Sequence, residues 1–211
     1  MPQKEVIIVV PGAKYIQSKI LFVQKFVLFF YRLVNIKNPV YKNYIKDWEP
    51  YLKKDNRKIV LLDWDQGLAP WSLWLAKLML KVQIFKHLNE GHTVNLMGFS
   101  LGGEIVINTI NEYKDGEINK VVLVCSVNTD NTMDKNITKF LNIYSPHDLL
   151  ATIAIKVFAP VHGGSVMQGD SVKNISIDNF GHDNFCINDM IENGTYKGKR
   201  ITDFINEFFD K

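Results

Sequence analysis

Residues 93–106, Thr93-Val94-Asn95-Leu96-Met97-Gly98-Phe99-Ser100-Leu101-Gly102-Gly103-Glu104-Ile105-Val106, read as a short strand (93–97) that turns directly into a helix (102–114). At the junction stands Gly98-Phe99-Ser100-Leu101-Gly102, a G-x-S-x-G. A serine hydroxyl is a weak nucleophile unless a base can reach it, so the turn must push its side chain out of the sheet edge. Such a turn strains the backbone at the serine, and glycine tolerates the crowding two residues before and two after. The helix begins at once and directs its free N–H groups at charge developing near Ser100. Ser100 is therefore the candidate nucleophile. The plainer alternative is a Gly-rich turn whose serine merely caps a helix.

Working outward, short β-branched runs alternate with helical stretches. Strands are expected at 4–10, 58–63, 93–97, 119–125, 139–144 and 172–177, each bounded by Gly, Pro, Asn or Asp. They are continuously apolar rather than alternating, as in a sheet buried on both faces. Helices are expected at about 14–35, 41–54, 71–90, 102–114, 149–158 and 200–209. In 71–90, Trp71, Trp74, Leu75, Leu78, Val82 and Phe85 recur at the helical period, and Ile201, Phe204, Ile205 and Phe208 do so in the last segment. Alternation of this kind builds βαβ units on a mostly parallel sheet with helices on both faces, an α/β three-layer sandwich. No linker or repeat divides residues 1–211, so a single domain is expected.

Composition removes other classes of answer. Among 211 residues, Lys+Arg exceed Asp+Glu by 25 − 22 = 3, with both signs spread along the chain. No basic stripe marks a nucleic-acid partner. Two cysteines, Cys125 and Cys186, cannot build a disulfide framework, which fits a reducing, cytoplasmic setting. Phosphate-cradling glycine motifs are absent, and His162, His182, Asp183 and Cys186 have no zinc-ligand spacing, so neither a cofactor nor a metal is expected. Residues 20–36 are apolar except for a narrow stripe containing Lys25 and Arg32, too interrupted for a membrane span. Their surplus apolar surface, with Phe26 and Phe30, is buried under 41–54, lines an acyl pocket, or serves peripheral membrane contact or self-association.

The motif at 98–103 resembles the α/β-hydrolase superfamily, in particular its small, lidless esterase, lipase and thioesterase-like members. Val9-Val10-Pro11-Gly12-Ala13 resembles that family's first oxyanion loop, with Pro11 where a histidine usually stands. The resemblance implies a six-stranded sheet of order 2-1-3-4-5-6 and an oxyanion hole from the amides of Leu101 and Ala13, or Gly12. It also implies the chain order nucleophile, acid, base. Asp148, in Tyr144-Ser145-Pro146-His147-Asp148, is the acid it favours, with Asp130 one strand earlier as the rival. His182, in Phe180-Gly181-His182, is the favoured base, and His162 the other histidine beyond the acid. His87 and His92 precede the nucleophile and His147 adjoins the acid, so none of them fits the base.

The expected activity is serine hydrolysis of a carboxylic ester or thioester through an acyl-enzyme, with Phe99, Phe26 and Phe30 as substrate-binding side chains. Only 13 residues separate Cys125 from Lys139, too few for a helical cap, so selectivity falls to other loops, above all 13–57. The rivals are an inactive binding protein on the same fold and an acyltransferase.

Overall fold

A computed structural model describes residues 4–12, 44–64, 66, 70–126, 128, 137–148, 165–178 and 194–211. Six strands form one sheet: β1 (Glu5–Val10), β2 (Arg57–Leu61), β3 (Thr93–Phe99), β4 (Ile118–Val124), β5 (Ile137–Tyr144) and β6 (Val172–Ser176). Their order is β2-β1-β3-β4-β5-β6, and every pairing is parallel, as the α/β expectation required. Four helices are described: α1 (Tyr44–Leu52), α2 (Pro70–Asn89), α3 (Leu101–Glu112) and α4 (Ile201–Asp210). The expected helices at 14–35 and 149–158 lie outside the described residues.

Apolar runs in the strands follow from burial on both faces. Successive side chains point to opposite sides of a strand. Val6, Ile8 and Val10 therefore join Leu80, Ile84, Ile105 and Val106 in one core, beneath α2 and α3. Ile7 and Val9 join Trp48, Leu52, Ile201, Ile205 and Phe209 in a second core, beneath α1 and α4. The two cores are separated only by the sheet. Electrostatic ties hold α4 in place: buried Arg57 pairs with Asp210 at 2.8 Å and Glu5 at 3.1 Å, and Lys120 donates to the Phe209 carbonyl at 2.6 Å.

α2 is helical where its periodicity places it, but the residues that reveal the period do not face the core. Ser72, Ala76, Leu80, Ile84 and His87 are buried, whereas Trp71 is 69% exposed and Trp74 62%. Leu75, Leu78, Val82 and Phe85 are exposed too. The physical reason is size. Small residues at 72 and 76 let the helix approach the sheet closely, and the bulky stripe is turned outward. Among the described residues, no helix is long and apolar enough to cross a membrane.

One element was not anticipated: a two-stranded antiparallel hairpin, β7 (Thr195–Tyr196) and β8 (Lys199–Arg200), leading into α4. Lys197 and Gly198 both have positive φ, 50° and 75°, the geometry of a two-residue hairpin turn whose twist matches its strands.

Candidate active site

β1 and β3 are neighbours, but the chain leaves β1 towards β2 on one side and returns to β3 on the other. Open α/β sheets hold their ligands at the carboxyl ends of strands flanking such a reversal. Here those ends carry Pro11-Gly12 and Ser100.

Ser100 stands between β3 and α3 with φ 50° and ψ −123°, among four non-glycine residues of positive φ in the described regions. That conformation is strained for a residue with a Cβ. It persists because the neighbours over-determine it. The Ser100 N–H donates to the Val124 carbonyl at 3.1 Å, and the Gly103 N–H donates back to the Ser100 carbonyl at 3.0 Å. No side-chain capping hydrogen bond from Ser100 to the helix is formed, so helix capping does not account for the serine.

The flanking glycines are required by close approach. A Cβ on Gly98 would lie 2.7 Å from the Cα of Gly103, so strand and helix could not meet at this angle. A Cβ on Gly102 would lie 2.2 Å from the Val10 carbonyl oxygen and 2.6 Å from that of Pro11. Both obstacles are backbone and cannot swing away. Gly102→Ala is therefore expected to destabilise the protein by about 2–3 kcal/mol, the cost of overpacking a close contact. A denaturant midpoint unchanged from wild type would contradict it.

Opposite the serine lies the β1 exit loop. A Cβ on Gly12 would come 2.9 Å from the Ser100 Cβ and 3.5 Å from its Oγ, so this backbone borders the hydroxyl directly. Trp64, just beyond β2, donates its indole N–H to the Pro11 carbonyl at 3.2 Å and so fixes the peptide plane that also carries the Gly12 N–H. Leu101 is the first residue of α3, where backbone N–H groups have no acceptor within the helix. Ala13 lies outside the described residues.

Asp148 follows β5, two strands from Ser100, at the same edge of the sheet. It is 2% exposed. Ser145 shapes its turn: the His147 N–H donates to the Ser145 hydroxyl and the Asp148 N–H to the Ser145 carbonyl, both at 3.2 Å. His147 is exposed, whereas Asp148 is turned inward. Neighbouring strands are about 4.8 Å apart, so roughly 10 Å of lateral distance separates the two loops, space that an imidazole could bridge. Asp130, His162 and His182 lie outside the described residues, as do Phe26 and Phe30. Phe99 is buried beneath the elbow, with its ring edge-on to Trp48 at a centroid distance of 5.4 Å.

Three residues of this region escaped the sequence reading. Trp64 is one. Ser126 and Asn128, just past β4, are the others; both are buried and hydrogen-bonded to each other. The Ser126 hydroxyl sits 3.4 Å from the Ser100 carbonyl and fills the space that a side chain on residue 103 would need. They support the elbow from beneath.

No protein-family model and no curated protein matches the sequence. Solved structures do match. The Francisella virulence factor BioJ aligns with a TM-score of 0.59 over 100% of this chain and 78% of its own, at 14% identity. An esterase from Exiguobacterium antarcticum gives 0.57 over 100% and 94%, at 8% identity. A bromoperoxidase from Bacillus anthracis gives 0.56 over 99% and 92%, at 13% identity. Together with the parallel sheet of order 2-1-3-4-5-6 and the strand–serine–helix junction at Ser100, these likenesses show that the chain has the α/β-hydrolase fold.

Proposed function

We propose that the chain is a serine hydrolase acting on carboxylic esters or thioesters. The observation that carries this reading is the strained Ser100, held at the carboxyl edge of the sheet between the α3 N-terminus and the Gly12 backbone. Strain of this kind is kept where it has a use. Fold alone would not suffice, since one fold hosts many functions.

In this reading His182 accepts the Ser100 proton as Oγ attacks the acyl carbon. Asp148 orients the imidazole and stabilises its charged form. The oxyanion of the tetrahedral intermediate is met by the Leu101 amide and that of Ala13 or Gly12. Collapse expels the alcohol or thiol, which takes the proton from His182 and leaves an acyl-serine. Water then attacks with His182 again as base, releasing the acid. Apart from substrate and the attacking water, these steps use only groups of the chain. Trp64 is a positioning residue, since it holds the Pro11 carbonyl and with it the loop that would donate to the oxyanion.

The direct test is covalent labelling with a fluorophosphonate probe. One label per chain on Ser100 is expected, and a folded protein that stays unlabelled would favour the inactive binding reading. Product analysis with an alcohol acceptor present separates hydrolysis from acyl transfer.

For the substrate, the surplus apolar surface of residues 20–36, with Phe26 and Phe30, favours a hydrophobic acyl group. Burying a methylene is worth about 0.8 kcal/mol, so kcat/KM is expected to rise on the order of 10²-fold from acetyl to hexanoyl esters. Replacing Phe26 and Phe30 together by serine should flatten that gradient more than it lowers the acetate rate. Equal losses on short and long esters, in step with lost stability, would make the segment core only.

A further inference from the structure

At the opposite edge of the sheet, roughly 25 Å along β3 from Ser100, α2 ends in a paired cap. The His92 N–H donates to the His87 carbonyl at 3.0 Å and the Gly91 N–H to the Leu88 carbonyl at 2.9 Å, with Gly91 at φ 76°. This is the Schellman arrangement, which brings together the side chains of the third helical residue from the end, His87, and the second residue beyond the C-cap Glu90, His92. That contact is normally apolar. Here both positions are histidine, with ring centroids 5.3 Å apart, and Glu90 between them turns its carboxylate onto both rings.

Three donor atoms thereby converge. His87 Nδ1 lies 3.2 Å from His92 Nδ1 and 3.0 Å from Glu90 Oε2, and His92 Nδ1 lies 3.3 Å from the same oxygen. Protons satisfy at most two edges of this triangle. With one Nδ1 proton, an edge is left with two lone pairs facing; with two, both N–H groups donate to Glu90 Oε2 and the nitrogens stand 3.2 Å apart with no bond between them. A cation capping the triangle satisfies all three at once. The edges also have the right length: a tetrahedral ion bound at 2.0–2.1 Å has ligands about 3.3 Å apart.

We propose that His87, Glu90 and His92 form a zinc site. Two imidazole nitrogens and one carboxylate oxygen are a ligand set that suits Zn²⁺, and the exposed Glu90 opens the cluster to solvent. His87 is 1% exposed and packed in the interior, so the ion would tie the end of α2 to the start of β3. Its distance from Ser100 makes the role structural. The H-x-x-E-x-H spacing becomes a ligand set only because the cap reverses the chain between 90 and 92.

The test uses metal-free full-length protein with Zn²⁺ alone, and Co²⁺ as a visible reporter of coordination. Wild type is expected to bind one ion per chain, with the absorption of four-coordinate Co²⁺. Saturating Zn²⁺ at about a hundredfold excess over Kd should raise Tm by about 5–10 °C. Glu90→Gln and His92→Ala, both on the accessible side, should keep the wild-type circular dichroism. Each should bind on the order of 10²-fold more weakly and lose the Tm rise. Wild type that takes up no stoichiometric Zn²⁺ or Co²⁺ at tens of micromolar, or either variant binding as tightly as wild type, would overturn the proposal. Neither outcome bears on the assignment of Ser100.

Discussion

Ser100→Ala is expected to yield a folded protein whose ester hydrolysis is slower on the order of 10⁴–10⁶-fold. The fold should survive because alanine keeps the Cβ, and the backbone bonds to Val124 and from Gly103 do not involve the hydroxyl. Ser100→Gly should be equally inactive yet more stable, by about 1 kcal/mol, because glycine adopts φ 50° without strain. Steady-state kinetics beside urea denaturation measure both. Near-normal hydrolysis by the alanine variant would remove Ser100 from the chemistry.

His182→Ala should be nearly as damaging as loss of the serine, and Asp148→Asn should cost on the order of 10³–10⁴-fold, since an uncharged partner can hold the imidazole in the wrong tautomer. Asp130→Asn and His162→Ala should change the rate little. The reverse ranking would move the acid and base to the rival pair. The pH profile supplies an independent check. A general base acts only when unprotonated, so kcat/KM should fall as pH drops through the histidine range. His182→Ala should abolish that limb along with most of the rate, whereas His162→Ala should leave it in place.

β1, β3 and β4 were legible because they are buried on both faces, which leaves an apolar run without alternation, whereas the partly exposed edge strands β2 and β6 stood out only as short β-branched runs between turn residues. The elbow was legible because glycine at 98 and 102 is demanded by backbone contacts that no other residue permits. What escaped depends on neighbours distant in sequence. Nothing local to Trp64 tells that its indole will reach Pro11, and nothing local to Ser126 tells that it will lie under Ser100. The outward face of α2 escaped for another reason: periodicity gives the pitch of a helix but not which side meets the sheet when apolar residues lie all round it. The β7–β8 hairpin has two-residue strands, too short for any pattern. His87, Glu90 and His92 stand apart as histidines and a glutamate until the cap of α2 folds them onto one another.

An all-parallel sheet also sets the order in which the protein can come together. Glu5 pairs with Arg57 on one side and Thr93 on the other, so β1 closes two long loops before either pairing is rewarded. Chains dominated by such distant contacts fold slowly, while their helices form early. The elbow is the most demanding joint of all: its serine amide waits for Val124 to arrive from one side, and its glycine must be met by Val10 from the other. A chain can thus hold nearly all its helix and still lack a shaped nucleophile, so that competence for chemistry is acquired at the close of folding, when both flanking strands have docked.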